Sequence, residues 1–560
     1  MKRPDNINDA QWQAVIHPSD YLLITAGPGT GKTHTLTYRI IHFFSKLQTN
    51  QKILAITFTN KAAQEMRQRL KSYFGKDPEA VTIGTFHKFC LSCLREFVDL
   101  AGLPKNFQIA SELQKEILAK QIWPDKPKQM RERLNALSRE KSVVVQAPSQ
   151  DLAAFDQKLR ENTFLDFDDI LQEAFKLFKN NAQVRKELQK RYRYVFVDEY
   201  QDTNDIQHEI LKLLVGEKVG LTVIGDPHQA IYGFRGSNVS FFHQFTKDFP
   251  GAQTLSLSEN YRSAQNLLEA AGQIISKDES LKVPSLTANI YKEGRLVIHE
   301  TPTERAEAEY VVRQVEKMVG GTSMFSKDSK RVNAQGDASF SFGDIAVLYR
   351  LNSQRKALEE AFVRSGIPFQ VSGNKALSEE KEVAGLMPKL VLMREKPIED
   401  MVRFLQGEIA PKAPVIERLI GLAKAAVTAK EFLDDLFLQR ENDRYVYNVE
   451  KVSLLTLHAA KGLEFSVVFI VGCEDGLVPL RRDDKKTDLE EERRLFYVGM
   501  TRAKTCLFLT WGTKRTLYGK TVTSTLSPFV LDIEERLKEY EKSLSQSRKR
   551  KDMQLKFESF

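Results

Sequence analysis

The chain has 560 residues, of which 42% are hydrophobic and 28% are charged, and its net charge at pH 7 is +9. This length exceeds what one hydrophobic core supports, so roughly three to five domains are expected. No apolar run approaches the ~20 residues that span a bilayer, and the N-terminus has no signal-peptide core. A cytoplasmic protein with an anionic partner is therefore expected.

A β-prone run at 21–25 leads into a glycine-rich turn, and a helical pattern follows. This order is typical of a P-loop, because glycines let backbone N–H groups approach phosphate oxygens at a positive helix N-terminus. Lys32 is expected to reach the β- and γ-phosphates and Thr33 to bind Mg²⁺. A structural glycine turn is the weaker alternative. The predicted phosphate-binding residues are Ala26, Gly27, Pro28, Gly29, Thr30, Gly31, Lys32 and Thr33.

Cys90 and Cys93 form a CxxC pair in a stretch that looks helical and apolar. A metal or redox site is one interpretation of this spacing. The sequence contains no second CxxC that would complete a zinc site. Buried free thiols are therefore the favoured interpretation.

The apolar run at 194–197 ends in two adjacent carboxylates, Asp198 and Glu199. One carboxylate can hold magnesium while its neighbour orients or deprotonates a water, which suits phosphoryl transfer. Solvated acids at a strand end are the alternative. With the P-loop, the pair predicts a nucleotide hydrolysis site in which Asp198 serves the metal and Glu199 the water. Alternating strands and helices predict an α/β fold with parallel sheets.

Further segments, taken in order, resemble the motifs of superfamily 1 DNA helicases of the UvrD/PcrA/Rep type. The resemblance spans residues 7 to about 533. It implies two RecA-like P-loop NTPase motor domains with parallel sheets, with ATP and Mg²⁺ as cofactors. The segments are INDAQ at 7–11, TFTNKAA at 57–63, GTFH at 84–87, LDFDDI at 165–170, GDPHQAIYGFRG at 225–236, NYRS at 260–263, TLHAAKGLEF at 456–465, and EEERRL and YVGMTRA within 490–503.

The resemblance assigns the rest of the nucleotide site. Gln11 is expected to read adenine, Tyr261 to stack on it, and Glu464 to contact the ribose. Arg262 and Arg502 are expected to touch the γ-phosphate from the second motor domain. An arginine in that role contributes about 10³- to 10⁵-fold to the rate.

The resemblance also implies a DNA-binding surface. Gln229 is expected to couple the γ-phosphate to this surface, where aromatic rings stack on bases at ~1–3 kcal/mol each. Core packing is the alternative role for these aromatics. Phe234 stands where the family often has tryptophan. The implied DNA-binding residues are Phe58, Asn60, Thr85, His87, Tyr232, Phe234, Arg235 and His458.

The implied function is an ATP-dependent DNA helicase or translocase that moves 3′ to 5′ on single-stranded DNA and separates duplexes in repair, replication or recombination. Its partners would be single-stranded DNA and single/double-strand junctions. Two alternatives stay open: a motor subunit of a helicase–nuclease complex, and a DNA-binding remodelling platform without unwinding activity. The intact catalytic residues argue against the platform.

The second insertion is where the chain departs from the family, which usually carries a large regulatory domain there. Only a short, largely helical stretch fits, so weak or absent autoinhibition by it is expected.

The C-terminal residues 553–560 resemble a sliding-clamp peptide, although a frayed terminus is the favoured interpretation. The predicted domains are a first motor domain (1–88 and 163–255), a helical insertion (89–162), a second motor domain (256–373 and 447–533, with a mobile loop at 320–343), a reduced second insertion (374–446) and a basic, disordered tail (534–560).

Overall fold

The computed structural model describes most of the chain. The middle of the predicted loop at 320–343 and the possible clamp peptide at 553–560 lie outside the described residues. The described ranges are 2–124, 126–144, 147–216, 218–278, 285–320, 340–371, 377–407, 414–426, 428–438, 449–481, 487–517 and 519–541.

Two parallel sheets organise the molecule, and short strand pairs accompany them. The strands in chain order are β1 (Tyr21–Ala26), β2 (Lys52–Thr57), β3 (Val81–Thr85), β4 (Gln108–Ile109), β5 (Phe164–Leu165), β6 (Tyr192–Val197), β7 (Gly220–Gly225), β8 (Gln253–Leu257), β9 (Glu259–Asn260), β10 (Thr287–Ala288), β11 (Arg295–Thr301), β12 (Ile345–Tyr349), β13 (Phe369–Val371), β14 (Val452–Thr456), β15 (Phe465–Val471), β16 (Ala503–Gly512), β17 (Lys514–Leu517), β18 (Lys520–Thr523) and β19 (Glu539–Glu541).

Helices cover the sheets and form the two inserted segments. In chain order they are α1 (Asp9–Ile16), α2 (Lys32–Phe44), α3 (Asn60–Phe74), α4 (Phe86–Glu96), α5 (Glu112–Ile122), α6 (Pro127–Lys141), α7 (Gln150–Glu161), α8 (Phe167–Asn180), α9 (Ala182–Arg191), α10 (Asp205–Val215), α11 (Ser240–Asp248), α12 (Gln265–Ile275), α13 (Glu304–Met318), α14 (Arg355–Ser365), α15 (Lys381–Leu392), α16 (Ile398–Gly407), α17 (Pro414–Ala425), α18 (Ala429–Phe437), α19 (Leu489–Met500) and α20 (Pro528–Leu531).

The first sheet has the strand order β3-β2-β6-β7-β1-β8, and all neighbouring strands run parallel. Successive side chains of β1 point to opposite faces. Leu22 and Ile24 pack with α2 and α3, whereas Leu23 packs with α4, α8 and α10. Since both faces are covered, β1 is a continuous apolar run. The carboxyl ends of β1, β6 and β7 therefore share one edge, where α/β proteins bind ligands.

The second sheet has the order β13-β14-β12-β15-β16-β11-β19 and is also parallel throughout. Separate apolar clusters cover its two faces. Its strands are as apolar as those of the first sheet, because they too are buried on both sides. The two sheets confirm the predicted α/β fold class.

The predicted start of the disordered tail, residue 534, is too early, because residues beyond it are ordered. Glu539–Glu541 forms β19, which pairs with β11 at the edge of the second sheet. The Tyr310 hydroxyl donates to the Glu541 carboxylate at 2.7 Å. These polar residues give no apolar signal in the sequence, and main-chain pairing with side-chain hydrogen bonds holds them. The remaining domain boundaries stay predictions.

Each inserted segment has a small apolar core. In the first, residues of α5, α6 and α7 pack together around Phe155, and in the second, residues of α15 to α18 pack around Met401 and Phe432. Cys90 and Cys93 are buried free thiols on α4, and burial raises the pKa of both. Within the described ranges, no helix is long and apolar enough to cross a membrane.

Candidate functional site

The glycine-rich turn connects β1 to α2. Gly29 and Gly31 have φ angles of 67° and 78°, a left-handed backbone that residues with side chains rarely adopt. A Cβ atom at Gly29 would lie 2.6 Å from the Cβ atom of Arg262. No side chain caps the first turn of α2, so its N–H groups and positive end are available to an anion.

Lys32 lies over this turn. Its Nζ atom donates to the carbonyl oxygens of Ala26 and Gly27, at 3.3 and 3.2 Å. Both acceptors are neutral, and a charged phosphate oxygen would form a stronger hydrogen bond with the ammonium group. The residues present therefore fit a nucleotide phosphate.

Thr33, in the first turn of α2, and Asp198, directly after β6, bring two possible metal-binding oxygen atoms together. The Thr33 hydroxyl donates to Asp198 Oδ2 at 2.8 Å. Burial and the neighbouring Glu199 carboxylate raise the pKa of Asp198 to about 6. Because Mg²⁺ prefers oxygen ligands and would favour the ionised carboxylate, this pair fits magnesium.

Glu199 has a φ angle of 53°, which is uncommon for a residue with a side chain and is typical of functional sites. Its N–H donates to Asp198 Oδ1 at 2.9 Å, and the Gln201 amide donates to its carboxylate. Burial alone would raise the pKa of Glu199, but Lys32 and Lys461 outweigh it and hold the pKa below its ordinary value. The carboxylate is thus ionised and able to accept a proton.

The end of β9 and the residues that follow it close over the glycine-rich turn. The Tyr261 N–H donates to the Gly29 carbonyl at 2.8 Å, and Asn260 Nδ2 donates to the Pro28 carbonyl at 2.6 Å. Asn260 Oδ1 also accepts the N–H of Arg262 at 2.8 Å. Asn260 is fully buried and therefore fixes Arg262 beside the phosphate loop.

The residues predicted to contact adenine form one wall of the site. Gln11 Nε2 donates to the Thr30 carbonyl at 3.0 Å, and Gln11 Oε1 accepts the N–H of Asn8 at 3.1 Å. Asn8 Nδ2 in turn donates to the Tyr261 hydroxyl at 2.8 Å. The hydrogen bonds join α1, the glycine-rich turn and the segment after β9.

Glu464, the predicted ribose contact, is held by two cations. Arg262 Nε lies 2.8 Å from Glu464 Oε2, and Lys504 Nζ lies 3.0 Å from Glu464 Oε1. Burial would raise the pKa of Glu464, but Arg262 and Lys504 outweigh it and lower the pKa to about 2. Glu464 is therefore a fixed hydrogen-bond acceptor beside Arg262.

Arg502 reaches Gln229 from the second sheet. Its Nη2 atom lies 3.3 Å from Gln229 Oε1, and its Nε donates to the Val498 carbonyl at 2.8 Å. Gln229 Nε2 donates to Asp226 Oδ2 at 2.7 Å. Burial and the nearby Arg262 lower the pKa of Arg502 to about 9. An anion at this position would therefore be strongly favoured.

Lys461 is a site residue to which the sequence interpretation gave no role. Its Nζ atom lies 2.7 and 2.6 Å from the two Asp202 carboxylate oxygens and 2.6 Å from the Gln229 carbonyl. It also lies 5.1 Å from the centre of the Tyr232 ring. Its position inside the 456–465 motif was the available signal.

An aromatic row lies next to the nucleotide-side residues. Phe58 and Tyr232 stack with ring centres 5.0 Å apart, and Phe234 lies 6.1 Å from Tyr232 and 5.4 Å from His458. The Arg235 guanidinium lies 5.4 Å from the Phe234 ring. Tyr232 is buried, whereas Phe234 is 50% exposed, so Phe234 offers the most accessible ring face.

The other predicted DNA contacts lie along α3 and α4. Asn60 Nδ2 donates to the Leu438 carbonyl at 3.4 Å. Thr85 caps the N-terminus of α4, and His87 stacks on Phe167 with ring centres 3.7 Å apart. Thr85 and His87 are buried. The DNA-binding role of all three stays a prediction.

One cavity of about 900 Å³ brings together most of the predicted nucleotide residues from both sheets. Ala26, Gly27, Pro28 and Thr30 of the glycine-rich turn do not line it. Phe58 and Tyr232 of the aromatic row line it as well. A phosphate loop, an acidic pair and arginines from a second parallel sheet define a two-sheet P-loop nucleoside-triphosphate hydrolase. The predicted nucleotide-site residues that line the cavity are Gln11, Gly29, Gly31, Lys32, Thr33, Asp198, Glu199, Gln229, Tyr261, Arg262, Glu464 and Arg502.

Comparisons with known proteins show the family within this class. The model of the UvrD/REP helicase N-terminal domain matches residues 7–250. The model of the UvrD-like helicase C-terminal domain matches residues 255–410 and 417–514. The chain therefore belongs to the UvrD-like helicases, as the sequence motifs predicted.

Similar proteins extend this match to nearly the whole chain. The ATP-dependent DNA helicase PcrA of Staphylococcus epidermidis (strain ATCC 12228) is 29% identical over 95% of this chain and 87% of its own length. The ATP-dependent DNA helicase PcrA of Staphylococcus aureus (strain Mu50) is 29% identical over 96% of this chain and 87% of its own length.

Proposed function

We propose that this chain is an ATP-dependent DNA helicase that moves 3′ to 5′ along single-stranded DNA and separates duplex DNA. The observation that carries the proposal is the continuous segment 226–236. It holds Gln229 against Arg502 in the cavity and Tyr232 against Phe58 in the aromatic row. One segment therefore connects the nucleotide site to the DNA side.

The catalytic roles follow from the contacts in the cavity. Lys32 and the N–H groups of α2 bind the phosphates, and Thr33 and Asp198 hold Mg²⁺. When bound between these two residues, the cation would neutralise charge on the phosphate oxygens. Glu199, which nearby cations keep ionised, orients the attacking water and accepts its proton.

Movement follows from the division of these residues between two sheets. Arg262 and Arg502 draw the second sheet toward a γ-phosphate held by the first, and they lose this attraction after the phosphate leaves. Gln229 contacts Arg502 directly, so the segment 226–236 responds to the change. Tyr232 lies in that segment and passes the displacement to the aromatic row.

DNA is held mainly through phosphates and base faces. The exposed Phe234 ring and the Arg235 guanidinium beside it supply a stacking face and a cation. Such contacts carry little sequence information, and binding through phosphates weakens steeply with salt. Slight sequence preference and strong salt dependence are therefore expected.

Unwinding of partial duplexes with a 3′ or a 5′ single-stranded tail tests the proposal. With ATP and Mg²⁺, the 3′-tailed duplex should be separated and the 5′-tailed duplex left intact. Lys32→Ala should abolish unwinding, because it removes the phosphate-binding ammonium group. Lys76→Ala is the matched control, since Lys76 is exposed and lies outside the cavity.

The same assay separates the alternatives. Efficient unwinding by Lys32→Ala would contradict the proposed mechanism. Separation of only the 5′-tailed duplex would show that the chain moves 5′ to 3′. A chain that binds DNA without hydrolysing ATP would match the remodelling platform. A chain that hydrolyses ATP on DNA but needs a second protein to unwind would match the helicase–nuclease subunit.

A further inference from the structure

The backbone at Glu199 needs support from both of its flanks. Its φ and ψ angles are 53° and 46°, a left-handed conformation that a residue with a side chain keeps only where its surroundings hold it. On one flank, the N–H of Asp198 donates to the Ile56 carbonyl of β2 at 2.9 Å. On the other flank, the chain enters a single 3₁₀ turn, Tyr200–Asp202. Contacts that fix Tyr200 therefore fix the second flank of Glu199.

Tyr200 is held by aromatic packing and by one hydrogen bond. Its side chain is fully buried, and its ring centre lies 5.5 Å from that of Phe242 and 5.8 Å from that of Phe245, both on α11. Its hydroxyl oxygen lies 3.0 Å from Nδ1 of His208 on α10. Because a buried hydroxyl without a partner is unfavourable, this hydrogen bond sets the direction in which the Tyr200 side chain points.

His208 connects Tyr200 to a carboxylate. Its Nε2 atom lies 3.1 Å from Asp248 Oδ2, at the end of α11. Burial lowers the pKa of His208 even though Asp248 acts to raise it, so the ring is neutral at pH 7. Because an ionised carboxylate can only accept, the ring proton lies on Nε2, and Nδ1 accepts the hydrogen bond from Tyr200. Asp248 therefore selects the tautomer of His208 that Tyr200 needs.

α11 holds His208 from two sides and follows directly from the segment 226–236. The Phe241 ring stacks on the imidazole with ring centres 4.1 Å apart and an angle of 11° between the planes, and Asp248 contacts the same imidazole from the other end of α11. Between the segment and α11, the Asn238 N–H donates to the Thr203 carbonyl at 3.1 Å. The turn after Glu199 is thus tied to α11 through its backbone as well as through His208.

We propose that Tyr200, His208 and Asp248 are positioning residues for Glu199, and that their buried hydrogen bonds hold the Glu199 carboxylate where it orients the attacking water. This inference rests on the proposed function, in which Glu199 acts on that water. The three residues do not line the cavity, so they act through Glu199 and not on the nucleotide. They therefore affect turnover and leave nucleotide affinity unchanged.

Removing the Tyr200 hydroxyl tests the inference. Tyr200→Phe keeps the ring, and the loss of one hydrogen bond should lower kcat for DNA-stimulated ATP hydrolysis about 3- to 10-fold. The KM for ATP should change less than about 2-fold, because Lys32 and the phosphate loop are untouched. Tyr192→Phe is the matched control. It removes a buried hydroxyl 3.4 Å from Thr82 Oγ1 at the opposite end of β6, and kcat should stay within about 2-fold of wild type.

A second pair of variants separates positioning from packing. His208→Phe keeps a ring against Phe241 but leaves the Tyr200 hydroxyl without its acceptor, so both stability and kcat should fall. Combining His208→Phe with Tyr200→Phe replaces both partners by apolar rings, which should recover most of the stability. The kcat of this double variant should stay about 3- to 10-fold low, because the hydrogen bonds remain absent. A double variant with wild-type kcat would contradict positioning and leave packing as the role of these residues.

The outcomes keep the two claims apart. If the wild-type chain hydrolyses ATP on DNA and Tyr200→Phe keeps full kcat, the inference fails while the helicase proposal stands. A loss in Tyr200→Phe that lies in KM alone would also contradict the inference. If the wild-type chain does not hydrolyse ATP with DNA and Mg²⁺, the proposed function itself fails. Should melting show that Tyr200→Phe is unfolded, the double variant with its matched rings provides the same measurement of kcat.

Discussion

Lys461 is the residue at which the nucleotide site and the aromatic row meet. Its side chain is 6% exposed, and its Asp202 partner is fully buried. A buried lysine is unfavourable unless it is paired and hydrogen-bonded, and Lys461 meets both conditions through Asp202 and the Gln229 carbonyl. It therefore fixes the start of the segment that carries Gln229 and Tyr232.

Lys461→Met should uncouple DNA binding from hydrolysis. We expect DNA-stimulated turnover to fall about tenfold or more, which corresponds to roughly 1.4 kcal/mol of lost transition-state stabilisation, while the KM for ATP changes less than about 2-fold. The physical reason is that Gln229 and Tyr232 lose their common anchor. ATPase assays with and without single-stranded DNA measure this split.

A second substitution separates coupling from stability. Lys461→Met removes the cation that pairs with the buried Asp202 carboxylate, at a cost of about 3–5 kcal/mol. Adding Asp202→Asn should recover much of this stability without restoring DNA stimulation. If the double variant regained full stimulation, Lys461 would be a structural residue only.

At the scale of single residues, the sequence predicts a residue's role when a local sequence motif indicates it. The positions of Lys32 and Thr33 follow from the glycine-rich turn, and the structure places both in the cavity. Asn260 and Lys461 could not be assigned in the same way. Their roles depend on partners more than 200 positions away, at Pro28 and Asp202, and no local spacing encodes such contacts.

Among the elements, α6, α7 and α8 are joined by one buried cation. Lys141 is 2% exposed and lies 2.8 Å from Asp156, 2.8 Å from Asp166 and 2.5 Å from Asp169. Three carboxylates around one lysine form an anchor only while the lysine is charged. The cluster therefore holds the first insertion onto the first sheet's helical layer.

Lys141→Met should loosen this anchor. We expect a loss of about 3–5 kcal/mol, because removing one partner leaves uncompensated buried charge. Burial and Asp166 already raise the pKa of Asp169 to about 8, so without Lys141 the folded state binds protons more tightly than the unfolded chain. Burial would raise the pKa of Asp166, but Lys141 outweighs burial and helps to lower the pKa to about 2. The deficit should therefore be full above pH 8 and should vanish only as the pH falls toward 2. Denaturant unfolding across this pH range measures it.

Lys158→Met is the matched control on α7 of the same insertion. Lys158 pairs with Glu161 at 3.4 Å, and its side chain is 31% exposed. An exposed pair of this kind contributes about 0–1 kcal/mol. The cluster would not be an anchor if the two variants lost equal free energy of unfolding, or if the loss in Lys141→Met did not change with pH.

The limits of sequence interpretation at the scale of elements are visible in β19 and α18. β19 is a three-residue strand of Glu-Tyr-Glu, too short and too polar to show the period of a strand. α18 has an ordinary helical pattern, so a helical second insertion could be predicted. The helix that α18 packs against could not be predicted, because the ion pairs with Lys88 and Arg95 join residues more than 300 positions apart.

Across the whole molecule, polar contacts join the two sheets at the cavity. They include the Tyr261 N–H to Gly29 carbonyl bond, the Arg502–Gln229 contact, and the Lys461–Asp202 pair. Each is polar and lies beside a predicted nucleotide contact. A ligand that adds charge to this cavity therefore acts directly on the contacts that set the sheets' separation.

Arg502→Lys should still bind the nucleotide, but the bound nucleotide should no longer affect the segment 226–236. Lysine retains the charge but cannot form the hydrogen bonds that the guanidinium makes to Gln229 and Val498 at once. In the wild-type chain, a non-hydrolysable ATP analogue with Mg²⁺ should slow hydrogen exchange in both 27–33 and 226–236. In the variant, it should slow exchange only in 27–33.

Arg536→Lys supplies the comparison, since Arg536 belongs to the same half of the chain, is 59% exposed and pairs only with surface acids Glu269 and Glu534 among its described ion pairs. It should retain protection in both segments. If Arg502→Lys also retained protection at 226–236, the nucleotide would not act on that segment through the Gln229 side chain. Transmission through Arg502 would then be wrong, because Arg502 contacts the Gln229 side chain, whereas Lys461 contacts the Gln229 carbonyl.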